Sequence, residues 1–322
     1  MSSLHRQPDR QGTGAGVPSA DEASEGPVAI GFDIGGTNLR AVALAADGSV
    51  IRRLRASSRT GHPDQLVDDV LSMAESIDPV APLGVGIAGL VDRQGTVRFS
   101  PNLDLRDLAL ERRLAAQRAG PVAVVNDASA AAFGEQRVGA ARGHQDVIAV
   151  TMGTGIGAGV IADGRLLLGS DGLAAELGHV IIDPGGPQCA CGRHGCLEAV
   201  ASGNALTRRG RHAGIGDAYD VVSAAHRGEA AAKAIIADVA THLGAALASM
   251  VTLLDPGMIV IGGGAGHAVA PWLIPQVQDQ LADLVFSAST RTLPDVVAAA
   301  LGDDAGAVGA AAFVRELADS RQ

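Results

Sequence analysis

The sequence predicts an α/β protein built from two related halves. Residues 28–51 have the pattern of an apolar strand, a Gly-rich turn, a second strand, an Asp-Gly hairpin and a third strand, and residues 146–169 repeat that order. The turns correspond as well, at 35–37 and 153–155. Two Gly-rich hairpins can resemble each other by chance, whereas a true repeat predicts two related domains that face each other.

Length and composition restrict the class of function. A chain of 322 residues can bury a sizeable core and is expected to form two domains. Its net charge of −10 argues against a general binder of nucleic acid or anionic membranes. No uninterrupted apolar run reaches about 18 residues, so we expect no transmembrane helix. Residues 1–27 lack the apolar core of a secretory signal and are rich in Gly, Ser, Pro and Asp, which predicts a disordered tail on a cytoplasmic protein.

All three cysteines lie in one turn-rich segment, which predicts a structural zinc site. Cys189, Cys191 and Cys196 are odd in number for disulfides, and sulfur and imidazole are ligands that zinc favours. His179 precedes them as a fourth ligand, and His194 is its rival. A site closed by four protein ligands braces a loop and leaves no position for catalysis. The alternative, a set of inert buried thiols, fits poorly with the Pro and Gly residues around them.

Both Gly-rich turns suit a phosphate group. Each ends an apolar strand with small residues whose backbone N–H groups can approach an anion. The single lysine, Lys233, lies in an Ala-rich stretch, so the sequence has neither a P-loop nor the strand lysine of a protein kinase. Asp33 could hold Mg²⁺ through water, or it is a turn residue that bonds its own backbone. The predicted nucleotide contacts here are Asp33, Gly35, Gly36, Thr37, Gly153, Thr154 and Gly155.

A third glycine cluster follows a strand predicted at 258–261. It comes after a long Ala-rich helix predicted at 228–254, and it exposes bare backbone at a strand's carboxyl end, where α/β proteins bind ligands. Because aromatic residues make up only 2% of the chain, an adenine ring would lie against glycine and aliphatic surface. The predicted contacts are Gly262, Gly263 and Gly264.

Asp127 is the candidate general base. Residues 122–125 have the pattern of a short buried strand, and Asn126 and Asp127 follow it directly before an Ala-rich helix. Helix capping is the alternative role for both side chains. A further apolar strand, predicted at 85–92, also ends in small residues. Short polar groups that hold sugar hydroxyls by paired hydrogen bonds are available at Asn102, Asn126, Asp127, Glu176 and Glu198.

These motifs resemble the ROK family of repressors, uncharacterised reading frames and sugar kinases, and most of all its glucokinases. The resemblance covers residues 28–314, and its most specific part is ELGH followed by CACGRHGCLE. It implies the duplicated, ribonuclease H-like two-domain fold of actin, Hsp70 and hexokinase. A small domain is expected at 28–126 and a large domain at 127–305, with the zinc loop at 179–198 and a C-terminal helix at 306–318 that completes the small domain.

The resemblance also implies an activity, the ATP-dependent phosphorylation of glucose at its 6-hydroxyl. Asp127 would be the general base, Mg-ATP the phosphoryl donor, and the assembly a homodimer or homotetramer. Many members have a lysine after the DIGGT threonine where this chain has Asn38, which leaves the phosphate contacts of the first turn to Thr37 and the backbone. The resemblance assigns zinc to His179, Cys189, Cys191 and Cys196. It assigns the sugar to Gly89, Asn102, Asn126, Asp127, Glu176, His179 and Glu198.

Two other functions fit the same resemblance. A kinase for another hexose, such as N-acetylmannosamine, N-acetylglucosamine or fructose, would use the same carboxylates for the hydroxyls that these sugars share. A sugar-responsive repressor would need an N-terminal winged-helix region that binds DNA. Residues 1–27 lack the hydrophobic period of a helix, which favours a kinase.

Overall fold

Two five-stranded sheets, one small three-stranded sheet and nine α-helices make up the part of the chain described by the computed structural model, which is Gly26 and residues 28–320. Apart from Gly26, the tail predicted at 1–27 lies outside the described residues, so its disorder stays a prediction.

The first half of the chain forms one large sheet and the small sheet beside it. Its elements are, in order, β1 (Ala29–Ile34), β2 (Asn38–Leu44), β3 (Val50–Ser57), α1 (Pro63–Ile77), β4 (Leu83–Ile87), β5 (Leu90–Val91), β6 (Val97–Ser100), β7 (Leu105–Leu108), α2 (Leu110–Ala115) and β8 (Val122–Asn126). The large sheet has the order β3-β2-β1-β4-β8, in which β1 pairs antiparallel with β2 and parallel with β4. Its central strand β1 is almost entirely buried, as expected for a strand covered on both faces.

The second half repeats this arrangement. Its elements are, in order, α3 (Asp127–Arg137), β9 (Val147–Met152), β10 (Ile156–Ala162), β11 (Arg165–Leu166), α4 (Leu197–Ala201), α5 (Gly203–His212), α6 (Ala218–His226), α7 (Ala230–Leu254), β12 (Met258–Gly262), α8 (Gly264–Leu284), β13 (Asp295–Ala298) and α9 (Ala305–Asp319). The sheet has the order β11-β10-β9-β12-β13, in which β9 pairs antiparallel with β10 and parallel with β12. The predicted repeat and the α/β fold class are therefore confirmed.

Small residues let two helices connect the sheets closely. Helix α9 returns to the first sheet, where a Cβ added at Gly31 or Gly84 would lie 1.9 Å from a carbonyl oxygen of α9. Helix α9 also meets α3, since a Cβ at Gly309 would lie 1.7 Å from the carbonyl oxygen of Ala130. Helix α3 in turn packs on β10 at Gly159, where a Cβ would be 2.4 Å from the nearest α3 atom. The Ala- and Gly-rich composition thus permits close contact between backbones.

Helix α7 is the long central helix of the second hydrophobic core. Its 25 residues, with a mean hydropathy of 1.6 in the most apolar window, would suffice by length and composition alone to cross a membrane. Ile236, Leu243 and Leu247, however, are fully buried in the core around β9, β12 and α8. Such burial is typical of the core helix of a globular domain, so the length of α7 is weak evidence for a membrane span.

The prediction of one continuous strand at 85–92 is wrong. Strand β4 ends at Ile87, and β5 belongs to the separate three-stranded sheet. Between them Gly89 has a φ of 136°, and a Cβ there would lie 2.5 Å from the carbonyl oxygen of Phe99. The chain bends at Gly89 because only glycine adopts this conformation without strain. The domain boundary predicted between 126 and 127 stays a prediction.

Candidate active site

Three parallel strands end at the same level and so place the candidate catalytic residues at one edge of the first sheet. Ile34 of β1 pairs with Ile87 of β4, and Ile87 pairs with Asn126 of β8. The first Gly-rich turn, Gly89 and Asp127 follow these three strand ends. The carboxyl edge of parallel strands is where α/β proteins bind their ligands.

Asn126 and Asp127 perform different tasks at the start of α3. Asn126 is the N-cap, because its Oδ1 accepts a hydrogen bond from the Ser129 N–H at 2.9 Å. Its Nδ2 donates to the Gly89 carbonyl at 3.1 Å and to Asp127 Oδ1 at 3.0 Å. The Ala128 N–H donates to the same Asp127 oxygen at 2.9 Å. Asn126 is therefore the residue that caps the helix. Among the described residues, the hydrogen bonds found to the Asp127 carboxylate are all accepted by Oδ1.

Burial raises the pKa of Asp127. The carboxylate loses contact with water, and the hydrogen bonds from the Ala128 N–H and the Asn126 amide offset that effect only in part. A carboxylate with a raised pKa is a stronger base once it is ionised. The geometry and the electrostatics of Asp127 both suit proton abstraction.

Asp33 is a second buried carboxylate at this edge. Burial first, and then the negative charge of Asp127, raise the pKa of Asp33 to about 7, against the opposing effect of Arg40. Arg40 Nη1 lies 3.4 Å from Asp33 Oδ2, and its Nη2 lies 3.3 Å from Asp303 Oδ2. Sequence reasoning missed both partners. The hairpin register could have identified Arg40, because Asp33 and Arg40 pair directly across β1 and β2.

The first Gly-rich turn is oriented by Ser58 and Thr60, which donate hydrogen bonds to its carbonyl groups. Ser58 Oγ donates to the Gly35 carbonyl at 2.5 Å. The backbone N–H of Ser58 donates to the Thr37 carbonyl at 3.1 Å. Thr60 Oγ1 donates to the Gly36 carbonyl at 3.3 Å. In a trans peptide the C=O and the following N–H point in opposite directions, so the N–H groups of residues 36–38 point away from Ser58 and Thr60. A row of such N–H groups suits an anion.

The second Gly-rich turn is oriented in the same way by the start of α5. The Gly203 N–H donates to the Gly153 carbonyl at 2.9 Å. The Asn204 N–H donates to the Thr154 carbonyl at 3.3 Å. The N–H groups of residues 154–155 consequently point away from α5, and the Thr154 side chain is exposed. Both turns therefore offer backbone donors in similar arrangements.

The third glycine cluster begins level with the second turn. Gly262, the last residue of β12, pairs with Thr151 of β9. Gly263 has a φ of 78°, and a Cβ there would lie 2.5 Å from the carbonyl oxygen of Met152. Helix α8 begins at Gly264, so the positive end of its dipole and its free N–H groups lie at this edge.

The predicted zinc ligands come together in space. One donor atom from each of His179, Cys189, Cys191 and Cys196 lies within 4.8 Å of the other three. The sulfurs of Cys191 and Cys196 are 3.6 Å apart, and Cys189 Sγ is 3.8 Å from His179 Nδ1. Zn–S bonds of about 2.3 Å in a tetrahedral site need S···S edges of about 3.8 Å, so these separations fit zinc. His194, the rival ligand, instead lies 3.2 Å from a backbone carbonyl.

Glu198 connects this cysteine cluster to the second Gly-rich turn. Its Oε2 accepts a hydrogen bond from the Ile156 N–H at 3.1 Å, directly after the turn. Its Oε1 lies 3.8 Å from Cys189 Sγ. Because Glu198 stands in α4 only two residues after Cys196, the position of the cluster determines the position of this carboxylate.

Glu176 lies near enough to Asp127 and Glu198 for their charges to act on its carboxyl group. Burial raises its pKa, the charges of Asp127 and Glu198 raise it further, and His179 lowers it. Asp127 thus interacts electrostatically with carboxylates from two other parts of the chain, Asp33 and Glu176. Asp127 therefore has acidic neighbours on two sides, a setting that suits a metal ion or a neutral ligand with many hydroxyls.

Asn102 lies against the first Gly-rich turn. A Cβ added at Gly36 would lie 3.0 Å from the Asn102 carbonyl oxygen, and the Asn102 side chain is exposed. The predicted sugar residues are therefore contributed by the strand ends of the first sheet, by the loop between β6 and β7, and by the segment that carries the cysteines. Their contacts with a ligand stay predictions.

Known proteins resemble this chain along nearly its whole length. A family model described as ROK family matches residues 29–317. The chain is 36% identical to a glucokinase of Thermotoga maritima, over 89% of this chain and 97% of that protein, and 35% identical to a glucokinase of Streptomyces coelicolor with the same coverage. A ROK family glucokinase from Streptomyces griseus, solved in complex with glucose and AMPPNP, is 33% identical with a TM-score of 0.78 over 89% of this chain and 99% of that chain. This chain belongs to the ROK family.

Proposed function

We propose that this protein is a glucokinase that transfers the γ-phosphoryl group of Mg-ATP to the 6-hydroxyl of glucose. The observation that carries the proposal is the buried Asp127 carboxylate, held by Asn126 beside the first Gly-rich turn. The relatives support glucose as the acceptor, since two that match nearly the whole chain are named glucokinases. The S. griseus structure, with its glucose and AMPPNP, supports ATP as the donor.

Asp127 acts as the general base in this proposal. A sugar hydroxyl is a weak nucleophile, and Asp127 takes its proton as the oxygen attacks the γ-phosphorus and ADP departs. The amide of Asn126 holds Oδ1, so Oδ2 is the oxygen that receives the proton. The remaining hydroxyls of the sugar would be held by Gly89, Asn102, Asn126, Glu176, His179 and Glu198.

The two Gly-rich turns hold the phosphates of ATP. Their N–H groups and the hydroxyls of Thr37 and Thr154 surround the transferred group, and Gly262–Gly264 lie beside the adenosine. Asp33 would hold Mg²⁺ through water once its carboxyl group is ionised. A bound Mg²⁺ would supply positive charge to offset the charge on the phosphates, and most of the catalysis would come from such charge stabilisation and from the positioning of the substrates by the two turns.

The cysteine cluster would hold a structural zinc ion. Three thiolates and one imidazole, with donor atoms within 4.8 Å of one another, form a donor set that suits zinc and leaves no open position. Since Nδ1 of His179 faces the cluster, Nε2 is the nitrogen that can donate to a sugar hydroxyl. The zinc loop therefore braces Glu176, His179 and Glu198 around the sugar.

A coupled assay of ADP release tests the proposed function directly. Purified protein is supplied with glucose, mannose, fructose, N-acetylglucosamine or N-acetylmannosamine, and a parallel glucose assay replaces ATP with polyphosphate and measures the sugar phosphate. We expect the highest kcat/KM with glucose and ATP. A higher kcat/KM with another hexose would assign the same site to that sugar, and no turnover of any sugar would overturn the proposal.

Location and assembly are part of the same proposal. A reducing cytoplasm would keep the three cysteines available as thiolates for zinc. We propose an assembly of two or four copies, as the family resemblance implies. Sedimentation equilibrium tests this, and a monomer at micromolar concentration would contradict it.

A further inference from the structure

A pocket of about 520 Å³ opens between helices α5 and α7, outside the proposed active site. Its floor is apolar and its rim carries charged side chains. The residues that line it are Arg208, Arg209, His212, Ala213, Ala234, Ile235 and Asp238. The other face of α5 is occupied by α6, since Thr207 Oγ1 accepts from the Ala218 N–H at 3.1 Å. The pocket is thus a separate surface feature of α5.

The rim of this pocket has a surplus of positive charge in a chain of net charge −10. Arg209 forms an ion pair with Asp238. Arg208 forms no ion pair with a carboxylate in the described part of the chain. Burial, and then the like charge of Arg209, lower the pKa of Arg208. An anion beside Arg208 would offset both effects.

The two arginines also connect the pocket to the proposed sugar site. Arg208 Nη2 donates to the Ala199 carbonyl at 2.6 Å, and Arg209 Nη1 donates to the Val200 carbonyl. Both carbonyls belong to α4, the short helix that carries Glu198. The pocket therefore lies one helix away from a carboxylate that is bonded to the second Gly-rich turn.

We propose that this pocket binds a phosphate-class anion, either free phosphate or a phosphate monoester, and that the bound anion strengthens glucose binding. A guanidinium has five N–H donors, so Arg208 can hold the Ala199 carbonyl and two phosphate oxygens together. His212 follows one helical turn later and adds a further donor. An anion that fixes Arg208 also fixes α4 and Glu198. The effect on glucose rests on the proposed function.

Calorimetry on the full chain tests the binding site. Inorganic phosphate and glycerol 3-phosphate are titrated separately, with glucose and a non-hydrolysable ATP analogue filling the proposed active site. We expect Arg208→Gln to weaken anion binding by about tenfold or more. Arg211→Gln is the matched control, because it removes the same charge from the same helix but does not line the pocket. Tighter binding of the ester would identify organic phosphates as the ligand, and equal binding would identify phosphate itself.

A second variant separates anion binding from the support of α4. Ala234 is exposed on α7 and lines the pocket, so Ala234→Glu places a carboxylate beside the anion and leaves the bond from Arg208 to Ala199 intact. We expect a similar loss of anion affinity from this charge repulsion. Equal affinity in the wild type and all variants, or no binding to the wild type, would overturn the site.

The coupling to the sugar is measured as the Kd of glucose with and without saturating anion. We expect the anion to lower this Kd by about threefold or more in the wild type and in Arg211→Gln, but not in Arg208→Gln. An unchanged glucose Kd in anion-bound wild type would overturn the coupling. Anion titrations of the wild type and Arg208→Gln without sugar keep this result distinct from the proposed function, because anion bound at the Gly-rich turns would be the same in both and the difference in affinity reports the pocket alone.

Discussion

Asn126 donates a hydrogen bond from its side-chain amide to Oδ1 of Asp127, its neighbour in the chain, at 3.0 Å. The same amide group donates to the carbonyl of Gly89, and its oxygen caps α3. One side chain therefore fixes the candidate base, the bend after β4 and the start of a helix. A substitution at Asn126 would disturb all three, whereas a substitution at Asp127 isolates the base.

The first prediction is that Asp127→Asn abolishes most of the activity and leaves glucose binding in place. The amide has the shape of the carboxylate but cannot accept the hydroxyl proton, so kcat should fall by roughly 10²–10⁴, the usual contribution of a general base. Steady-state kinetics gives kcat, and calorimetry gives the Kd of glucose. Asp68→Asn, at an exposed position of α1, is the control and should retain wild-type kcat. A variant at 127 with more than half of wild-type kcat would remove Asp127 from this role.

The pH profile of kcat/KM should have an acid limb above the ordinary pKa of an aspartate, which is about 3.9. Burial raises the pKa of Asp127, and the base works only when ionised, so activity falls as the pH decreases through that raised value. Protonation of Asp127 has the opposite effect on the stability of the fold. A folded pKa above the unfolded pKa means that protonation of Asp127 stabilises the fold as the pH falls. Thermal melts across the range should therefore show no unfolding at this limb, and a limb at the ordinary aspartate value would contradict the assignment.

Arg40→Gln should weaken Mg²⁺ binding in a pH-dependent way. Arg40 lowers the pKa of Asp33, so its loss raises that pKa above about 7 and leaves more of Asp33 protonated at neutral pH. We expect the Mg²⁺ concentration for half-maximal activity to rise severalfold at neutral pH and to recover towards the wild-type value in alkaline buffer. Arg113→Gln is the control, because Arg113 of α2 forms an exposed ion pair with Asp64 of α1. An equal loss at both pH values would show that Arg40 acts through another contact.

Structural features that depend on residues close together in the chain could be predicted from the sequence. The repeated hairpins, the strand before each glycine turn and the four candidate zinc ligands are all set by local pattern, because each motif is completed within a short stretch of the chain. The choice between the two histidines as the fourth candidate ligand required the structure, in which His179 lies beside the three sulfurs and His194 does not.

Contacts between distant segments could not be predicted in the same way. Asp303 reaches Arg40 across 263 positions because α9 returns to the first sheet, and no local pattern in either segment indicates the other. The bond between Glu198 and the Ile156 N–H is similar, since it joins the cysteine segment to the second Gly-rich turn. The bend at Gly89 was missed for a different reason. Its apolar surroundings have the pattern of one continuous strand, and the close approach of Phe99 that requires a glycine appears only in three dimensions.

The last prediction concerns the link between zinc and sugar. Cys191→Ser removes one of the four candidate zinc ligands. The α/β core should be unaffected, because Cys191 is exposed. We expect a folded protein with nearly wild-type circular dichroism that has lost its zinc, since structural zinc sites depend on the full ligand set. The Kd of glucose should rise by about tenfold or more, because Glu176, His179 and Glu198 lose the brace that positions them. The Kd of ATP should change much less, because its predicted contacts are backbone and threonine groups of the Gly-rich turns, and the start of α5 holds the second turn independently of the cysteine cluster.

His194→Ala is the matched control for this prediction. It alters the same loop, but its imidazole bonds a backbone carbonyl and stands outside the ligand cluster. Metal analysis should find about one zinc per chain in the wild type and in this control, as four ligands bind one ion. Glucose affinity in the control should equal that of the wild type. If the zinc-free Cys191→Ser protein is folded and binds glucose with unchanged affinity, the loop is a local structural element and does not position the sugar ligands.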